Sequence, residues 1–216
     1  IAHRFVAFLD IMGFKDRVAR TEHSVLFSQL EKFNGDITDY IGDYGNTGLQ
    51  LAQFSDSIVL FSNDITLESL KAIAEVVSGI MRIAIQQQIP LKGAIAQGQI
   101  TCDISKQLFF GQALIDAYLL EENIHYYGVL VHHSAEQSVI ELNKTSLLFK
   151  DVKAPLKSGK ISHYELSWYV NNGLPDRAAQ LAQIRNALNN IRRTVSDAPR
   201  KYIDHTLEVM KDYELA

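Results

Sequence analysis

The chain opens on a run of apolar positions, RFVAFLD at residues 4–10. The run is too short and too rich in Phe and Val for a first-choice helix, so it predicts a buried strand ending on a carboxylate, Asp10. Residues 25–42 set Val25, Leu26, Leu30, Phe33, Ile37 and Ile41 at helical spacing, and Gly42, Gly45, Asn46 and Gly48 break the rhythm. In LQLAQFSDSIVLFSND, residues 49–64, two short apolar runs meet at Ser55, Asp56 and Ser57, which predicts a hairpin turn there. The longest helical pattern covers residues 67–89 and is closed by Pro90. Residues 91–103 read as a strand despite Gly93 and Gly98, residues 111–123 as a short amphipathic helix, and residues 127–135 as another strand. Residues 153–170 predict a hairpin, or a loop followed by a terminal strand.

Two rounds of helix and strand around a central hairpin predict an α/β (α+β) sandwich of ferredoxin-like topology. The pattern shifts at NNGLPDR, residues 171–177. Beyond it, Leu181, Ile184, Leu188, Ile191 and Val195 alternate by three and four, with Arg185, Arg192 and Arg193 on the remaining positions. That amphipathic helix either forms a short coiled coil or packs back on the domain. Pro199 ends it, and residues 202–215 predict a last short helix. The expected organisation is one domain over residues 1–170 and a helical C-terminal extension over residues 171–216.

Composition narrows the classes. With 216 residues, 47% of them hydrophobic and 21% charged, the chain suits a globular protein with a sizeable core. Its 21 Lys and Arg against 25 Asp and Glu leave a net charge of -4, which gives no overall electrostatic ground to expect nucleic acid or an anionic membrane. The single Cys102 excludes an internal disulfide framework and a multi-cysteine zinc site, and fits a small core residue. No apolar stretch reaches the ~20 residues of a membrane span, and no signal-peptide order is visible, so a cytoplasmic location is the expectation. The neighbours His132 and His133 would face opposite ways on a strand, and no histidine spacing matches a metal motif.

The candidate chemistry lies in two carboxylates. Asp10 ends an apolar strand and Asp56 sits between two apolar runs, both expensive places for a charge. One reading makes them a helix cap and a turn aspartate. The other brings them together at a sheet edge, where a divalent cation such as Mg²⁺ or Mn²⁺ removes their repulsion and takes oxygen ligands and phosphates. Gly13 would then let the backbone pass close to a triphosphate, with the amides of the next helix directed at it.

Four stretches carry a resemblance. FVAFLDIMGF, FSDSIVLF, KGAIAQG and FFGQALIDAYLLE are similar, in order and spacing across residues 4–169, to motifs of class III nucleotidyl cyclase catalytic domains. They resemble most nearly the pyrimidine cyclases of Pycsar antiphage systems. The resemblance implies a class III cyclase fold with a helical extension, and two Mn²⁺ or Mg²⁺ ions bound by Asp10, Asp56 and the Ile11 carbonyl. It also implies a phosphate cradle from Met12, Gly13 and Phe14, and a catalytic phosphate-binding lysine at Lys157, with Lys160 in reserve. Lys92 stands where the fourth-strand motif usually has arginine, which implies a nucleotide-binding residue in contact with the phosphates, the alternative being a surface lysine.

The same comparison exposes departures. The helix positions that should offer Asn and Arg read Ile115 and Leu119, which donate nothing; Asp116, Tyr118 and Glu122 are near enough in sequence to substitute. The two positions that read a purine base fall on Ala52 and Leu108, neither with a hydrogen-bonding side chain, unless a one-residue shift brings in Gln50 or Gln53. Taken with the Pycsar-like blocks, this predicts conversion of CTP or UTP to cyclic CMP or cyclic UMP plus pyrophosphate, as an antiphage messenger sensed by a separate effector. The alternatives are a catalytically degenerate nucleotide-binding module of regulatory or scaffold type, or an adenylate or guanylate cyclase. One cyclase domain per chain implies a homodimer with active sites at its interface, without direct membrane insertion.

Overall fold

The computed structural model describes residues 1–45, 48–103, 105–171 and 173–214. Strand β1 (Ala2–Ile11) is followed by helices α1 (Phe14–Arg20) and α2 (His23–Asp43), the hairpin β2 (Gln50–Phe54) and β3 (Ser57–Phe61), then α3 (Leu67–Gln86) and β4 (Leu91–Asp103). Strand β5 (Leu108–Phe110), α4 (Gln112–Asn123), β6 (Val129–Val131), α5 (His133–Leu142) and the hairpin β7 (Phe149–Leu156) and β8 (Gly159–Leu166) complete the sheet and its covering helices. The chain ends in α6 (Arg177–Thr194) and α7 (Ala198–Glu214). The strands run in the order β2-β3-β1-β4-β6-β8-β7, with β5 paired to β4. The first four strands are antiparallel in the ferredoxin-like order, and β4 with β6 is the parallel pair.

Alternation along the strands divides the interior in two. Phe5, Ala7, Leu9 and Ile11 of β1 join the larger core with Ile58 and Leu60 of β3 and the buried stripe of α3. Val6 faces the other way, into a smaller core with Val59, Phe61, Ile100 and Ala113 of α4. The larger core also takes in Leu181, Ile184, Leu188 and Ile191 of α6 and Ile203, Val209, Met210 and Tyr213 of α7. The two terminal helices thus pack on the domain instead of forming a free coiled coil.

Several boundaries differ from the sequence pattern for local reasons. The strand expected over residues 127–135 shrinks to β6, because the His132 side chain accepts the Ser134 amide and caps α5, whose Ala135, Val139 and Leu142 form a buried helical stripe. The rings of His132 and His133 consequently lie 4.0 Å apart instead of on opposite faces. Helix α2 runs through Gly42 to Asp43, while Asn46 lies outside the described residues. Pro199 opens α7 instead of closing α6, since a first-turn residue has no amide to give to the helix ladder. Among the described residues no helix is long and apolar enough to cross a membrane.

Candidate active site

Register places the chemistry. Asp10 follows Val6 and Phe8 on the face of β1 turned away from the larger core. Asp10 lies opposite Ser57 of β3 on one side and opposite Lys92 of β4 on the other. A hydroxyl, a carboxylate and an ammonium therefore form a row across three strands. Asp56 occupies the two-residue turn just before Ser57, and its carbonyl accepts the Ile11 amide at 2.9 Å. The first strand and the hairpin are thus tied together where both carboxylates stand. Gly13 caps α1 in the left-handed region at φ 72°, without a side-chain cap bond. Asp10 is therefore not a helix cap.

Helix α4 closes one side. Its buried series Ala113, Ala117, Glu121 steps by four, and the two alanines let the helix lie close on the sheet. The third member, Glu121, reaches Lys92: Nζ stands 2.9 Å from Oε1 in a buried ion pair. The same ammonium donates to the carbonyls of Glu121 at 2.9 Å and Ile124 at 3.4 Å. Lys92 is only 6% exposed. It is neither a surface lysine nor a free phosphate clamp, because its donors are already engaged.

Asp10, Ser57, Lys92 and Glu121 line a pocket of about 230 Å³, together with Phe8, Tyr118, Glu122 and Lys157. Burial pushes the Asp10 carboxyl up to about 7, and the charges of Glu121 and then Asp56 add to the rise. Lys92 and a hydrogen bond from Ser57 act the other way without cancelling it. Burial likewise raises Glu121. A cluster of carboxylates that cannot all ionise comfortably is the electrostatic signature of a site that favours a cation. Among the described residues no three His, Cys, Asp or Glu side chains form a metal cage. Two oxygen donors beside open space fit Mg²⁺ or Mn²⁺, which keep waters and bind substrate phosphates, better than a fully enclosed ion.

The other expected residues are dispersed. The Met12 amide is committed to the Pro90 carbonyl at 2.9 Å. The Arg17 amide returns to Gly13, so the amides of Phe14 and its neighbours begin α1 without a partner four residues back. Lys157 sits on the exposed β7–β8 turn, anchored by its amide to the Asn123 carbonyl at 2.8 Å. Lys160 pairs with Glu208 at 2.6 Å. Ala52 is buried opposite Val59 inside the smaller core, away from the pocket, and Leu108 lies exposed on β5. Gln50 accepts from Arg4 at 3.0 Å and Gln53 donates to Asn34 at 2.7 Å, so neither turns to the pocket. Ile115 and Leu119 are half-exposed on α4, whereas Tyr118 meets Phe8 edge-on at 5.5 Å and bonds to Glu122. Phe8, Ser57 and Glu121 are pocket residues that the motifs did not single out. The i, i+4 series Ala113, Ala117, Glu121 is the sequence signal that could have found Glu121.

No family model matches the chain, and no curated protein does. Among solved structures, it is similar to the catalytic core of a rhodopsin-guanylyl cyclase with converted specificity, in complex with ATPαS. The identity is 14%, the TM-score 0.58, and the match covers 77% of this chain and 96% of that one. The guanylate cyclase domain of RhGC from Catenaria anguillulae, in complex with GTP, matches at 12% identity and TM-score 0.53 over 77% and 96% of the two chains. The adenylyl cyclase CyaB from P. aeruginosa matches at 16% identity and TM-score 0.52 over 80% and 96%. The chain therefore has the class III nucleotidyl cyclase catalytic fold, with C-terminal helices. The expected pyrimidine, Pycsar, cyclic CMP, cyclic UMP and antiphage terms conflict with these matches, which are guanylyl and adenylyl cyclases and carry no such description.

Proposed function

We propose that the chain is a metal-dependent nucleotidyl cyclase of the purine type, converting ATP or GTP to the 3′,5′-cyclic monophosphate and pyrophosphate. The observation that carries this reading is the Ser57–Asp10–Lys92 row, with Asp56 beside it and Glu121 above it, at the mouth of a pocket in a cyclase fold. Two divalent ions held by Asp10, Asp56 and the Ile11 carbonyl would supply the charge that acidifies the ribose 3′-hydroxyl and screens the triphosphate. Ser57 holds the Asp10 carboxylate in place, and the Lys92–Glu121 pair fixes the floor. Gly13 and the first-turn amides from Phe14 receive the phosphate tail, and Lys157 closes on it from the opposite turn. The 3′-oxygen attacks the α-phosphorus in line, its proton passes to water, and pyrophosphate leaves. Residues 1–170 form the cyclase unit in this reading, and residues 171–216 its helical extension.

The exposed apolar side chains Leu108, Phe110, Ile115 and Leu119 gather on β5 and α4, beside the pocket. A twofold homodimer that buries them would complete two equivalent sites. A second reading rests on the same helix: Ile115 and Leu119 give no donor for the sugar or the reacting phosphate, which favours a nucleotide-binding module without turnover. The deciding experiment incubates the purified protein with each of the four ribonucleoside triphosphates and Mn²⁺ and resolves products by mass. Cyclic AMP or cyclic GMP is the expected dominant product. A dominant pyrimidine product overturns the purine assignment, and triphosphate binding without any cyclic product selects the second reading.

A further inference from the structure

Behind the β7–β8 turn, between that turn and α7, lies a second pocket of about 380 Å³. Lys157, Lys160, Lys201, His125 and His205 line it, and among the described residues no carboxylate does. This is a basic cavity in a chain whose net charge is -4, so its sign runs against that of the molecule. Lys160 is offset by Glu208 at 2.6 Å. Lys157 and Lys201 have no ion-pair partner among the described residues. His205 donates from Nδ1 to the His125 carbonyl at 2.9 Å, which fixes its tautomer and leaves Nε2 as the free ring nitrogen. The His125 ring lies tilted against Tyr202 at 4.3 Å and meets His205 edge-on at 5.2 Å. Burial, and then the nearby His205, Lys201, Lys92 and Lys157, make His125 harder to protonate.

Lys157 lines both this cavity and the pocket that holds Asp10. One flexible ammonium on an exposed turn can thus follow an anion from one to the other. Two further groups, Lys201 and His205, come from α7, so the C-terminal extension itself builds the receiving wall. Two ammonium groups without an ion-pair partner, Lys157 and Lys201, beside a third at Lys160, suit a compact, multiply charged anion better than a neutral or singly charged one.

We infer that the cavity between the β7–β8 turn and α7 binds a diphosphate group, and that it receives the leaving pyrophosphate of cyclisation from Lys157; the second clause rests on the proposed function. The test titrates pyrophosphate, and separately ATP, into the full chain by calorimetry at low ionic strength without divalent metal. Wild-type protein is expected to bind one pyrophosphate per chain. Lys201→Ala, an exposed change that leaves the fold alone, should weaken that binding by at least about tenfold. Asp10→Asn should leave it unchanged. Equal binding by Lys201→Ala and wild type, or loss of binding in Asp10→Asn, overturns the inference. If Lys201→Ala weakens ATP but not pyrophosphate, the cavity holds a triphosphate tail instead, and the leaving-group assignment falls. These titrations need no turnover, so they read the cavity even if no nucleotide is cyclised. With an active enzyme, Lys201→Ala should also raise the pyrophosphate concentration needed for half-inhibition by the same factor.

Discussion

Asp10 is held where a carboxylate is costly, on a strand face beside Asp56 and Glu121, and its carboxyl is pushed up to about 7. A group in that condition lowers folded-state stability once it is forced to ionise, and gains most from a cation. Asp10→Asn should therefore separate stability from activity. Cyclase turnover is expected to fall by at least about a hundredfold. The melting temperature at pH 8, in metal-free buffer, should rise by about 2–4 °C, because the variant removes a buried charge and its repulsions. Retained turnover in the variant would remove Asp10 from the site. Glu165 tests the same physics away from the pocket. It is fully buried, accepts from Tyr169 at 3.1 Å and Tyr213 at 2.7 Å, and is pushed up to about 7 mainly by burial. A raised carboxyl keeps its proton in the folded state after the unfolded chain has released it. Stability from this group is accordingly complete below the ordinary carboxylate value and is lost as pH rises through about 7. Glu165→Gln should flatten that part of the pH profile, read as melting temperature between pH 4.5 and 8. Parallel wild-type and variant curves would show that Glu165 does not titrate in this window.

Elements were legible where their pattern was local. The strand at residues 91–103 and the hairpin around Asp56 follow directly from apolar runs and turn residues, and the structure keeps both. Helix α5 was not visible, since its cap is a histidine and its apolar stripe is short. The site was half legible for a related reason. Two carboxylates in strand contexts stand out in a sequence, but which strand lies beside which is a matter of register. Only that register shows Ser57 and Lys92 flanking Asp10. Lys92 then changes from a candidate phosphate ligand to a buried partner of Glu121, a contact between residues 29 apart. The close approach of β1 and β4 has its own test. A Cβ on Gly93 would lie 2.3 Å from Leu9 Cδ2 and 2.5 Å from the Phe8 carbonyl oxygen, and backbone cannot step aside there. Gly93→Ala should destabilise the fold by about 1–3 kcal/mol in urea titration, with activity falling as the β1–β4 pairing that sets Asp10 loosens. An unchanged unfolding midpoint would mean that the two strands tolerate more separation than their packing implies.

At the scale of the molecule, the ferredoxin-like half was readable because its succession of strand, helix, hairpin, helix and strand along the chain fits that topology. The packing of α6 and α7 was not, since an amphipathic helix announces an apolar stripe without saying what covers it. The same ambiguity attaches to α4, whose stripe toward the sheet is made of Ala113, Ala117 and Glu121 while Ile115 and Leu119 face outward. Two large aliphatic side chains left half-exposed beside an open pocket are explained if a second copy covers them. Because the pocket of one chain lacks a donor from Ile115 and Leu119, the partner's contribution would be to exclude water and shape the sugar site. Specific activity should then rise with protein concentration until the dimer saturates. Leu119→Glu places a charge in the apolar seam and should give a monomer by light scattering at micromolar concentration, with a fold unchanged by circular dichroism and turnover reduced at least about tenfold. A variant that stays dimeric would place the interface elsewhere. A monomeric variant with full turnover would show that the single-chain pocket, with Asp10 and Lys157 already on its walls, is sufficient by itself.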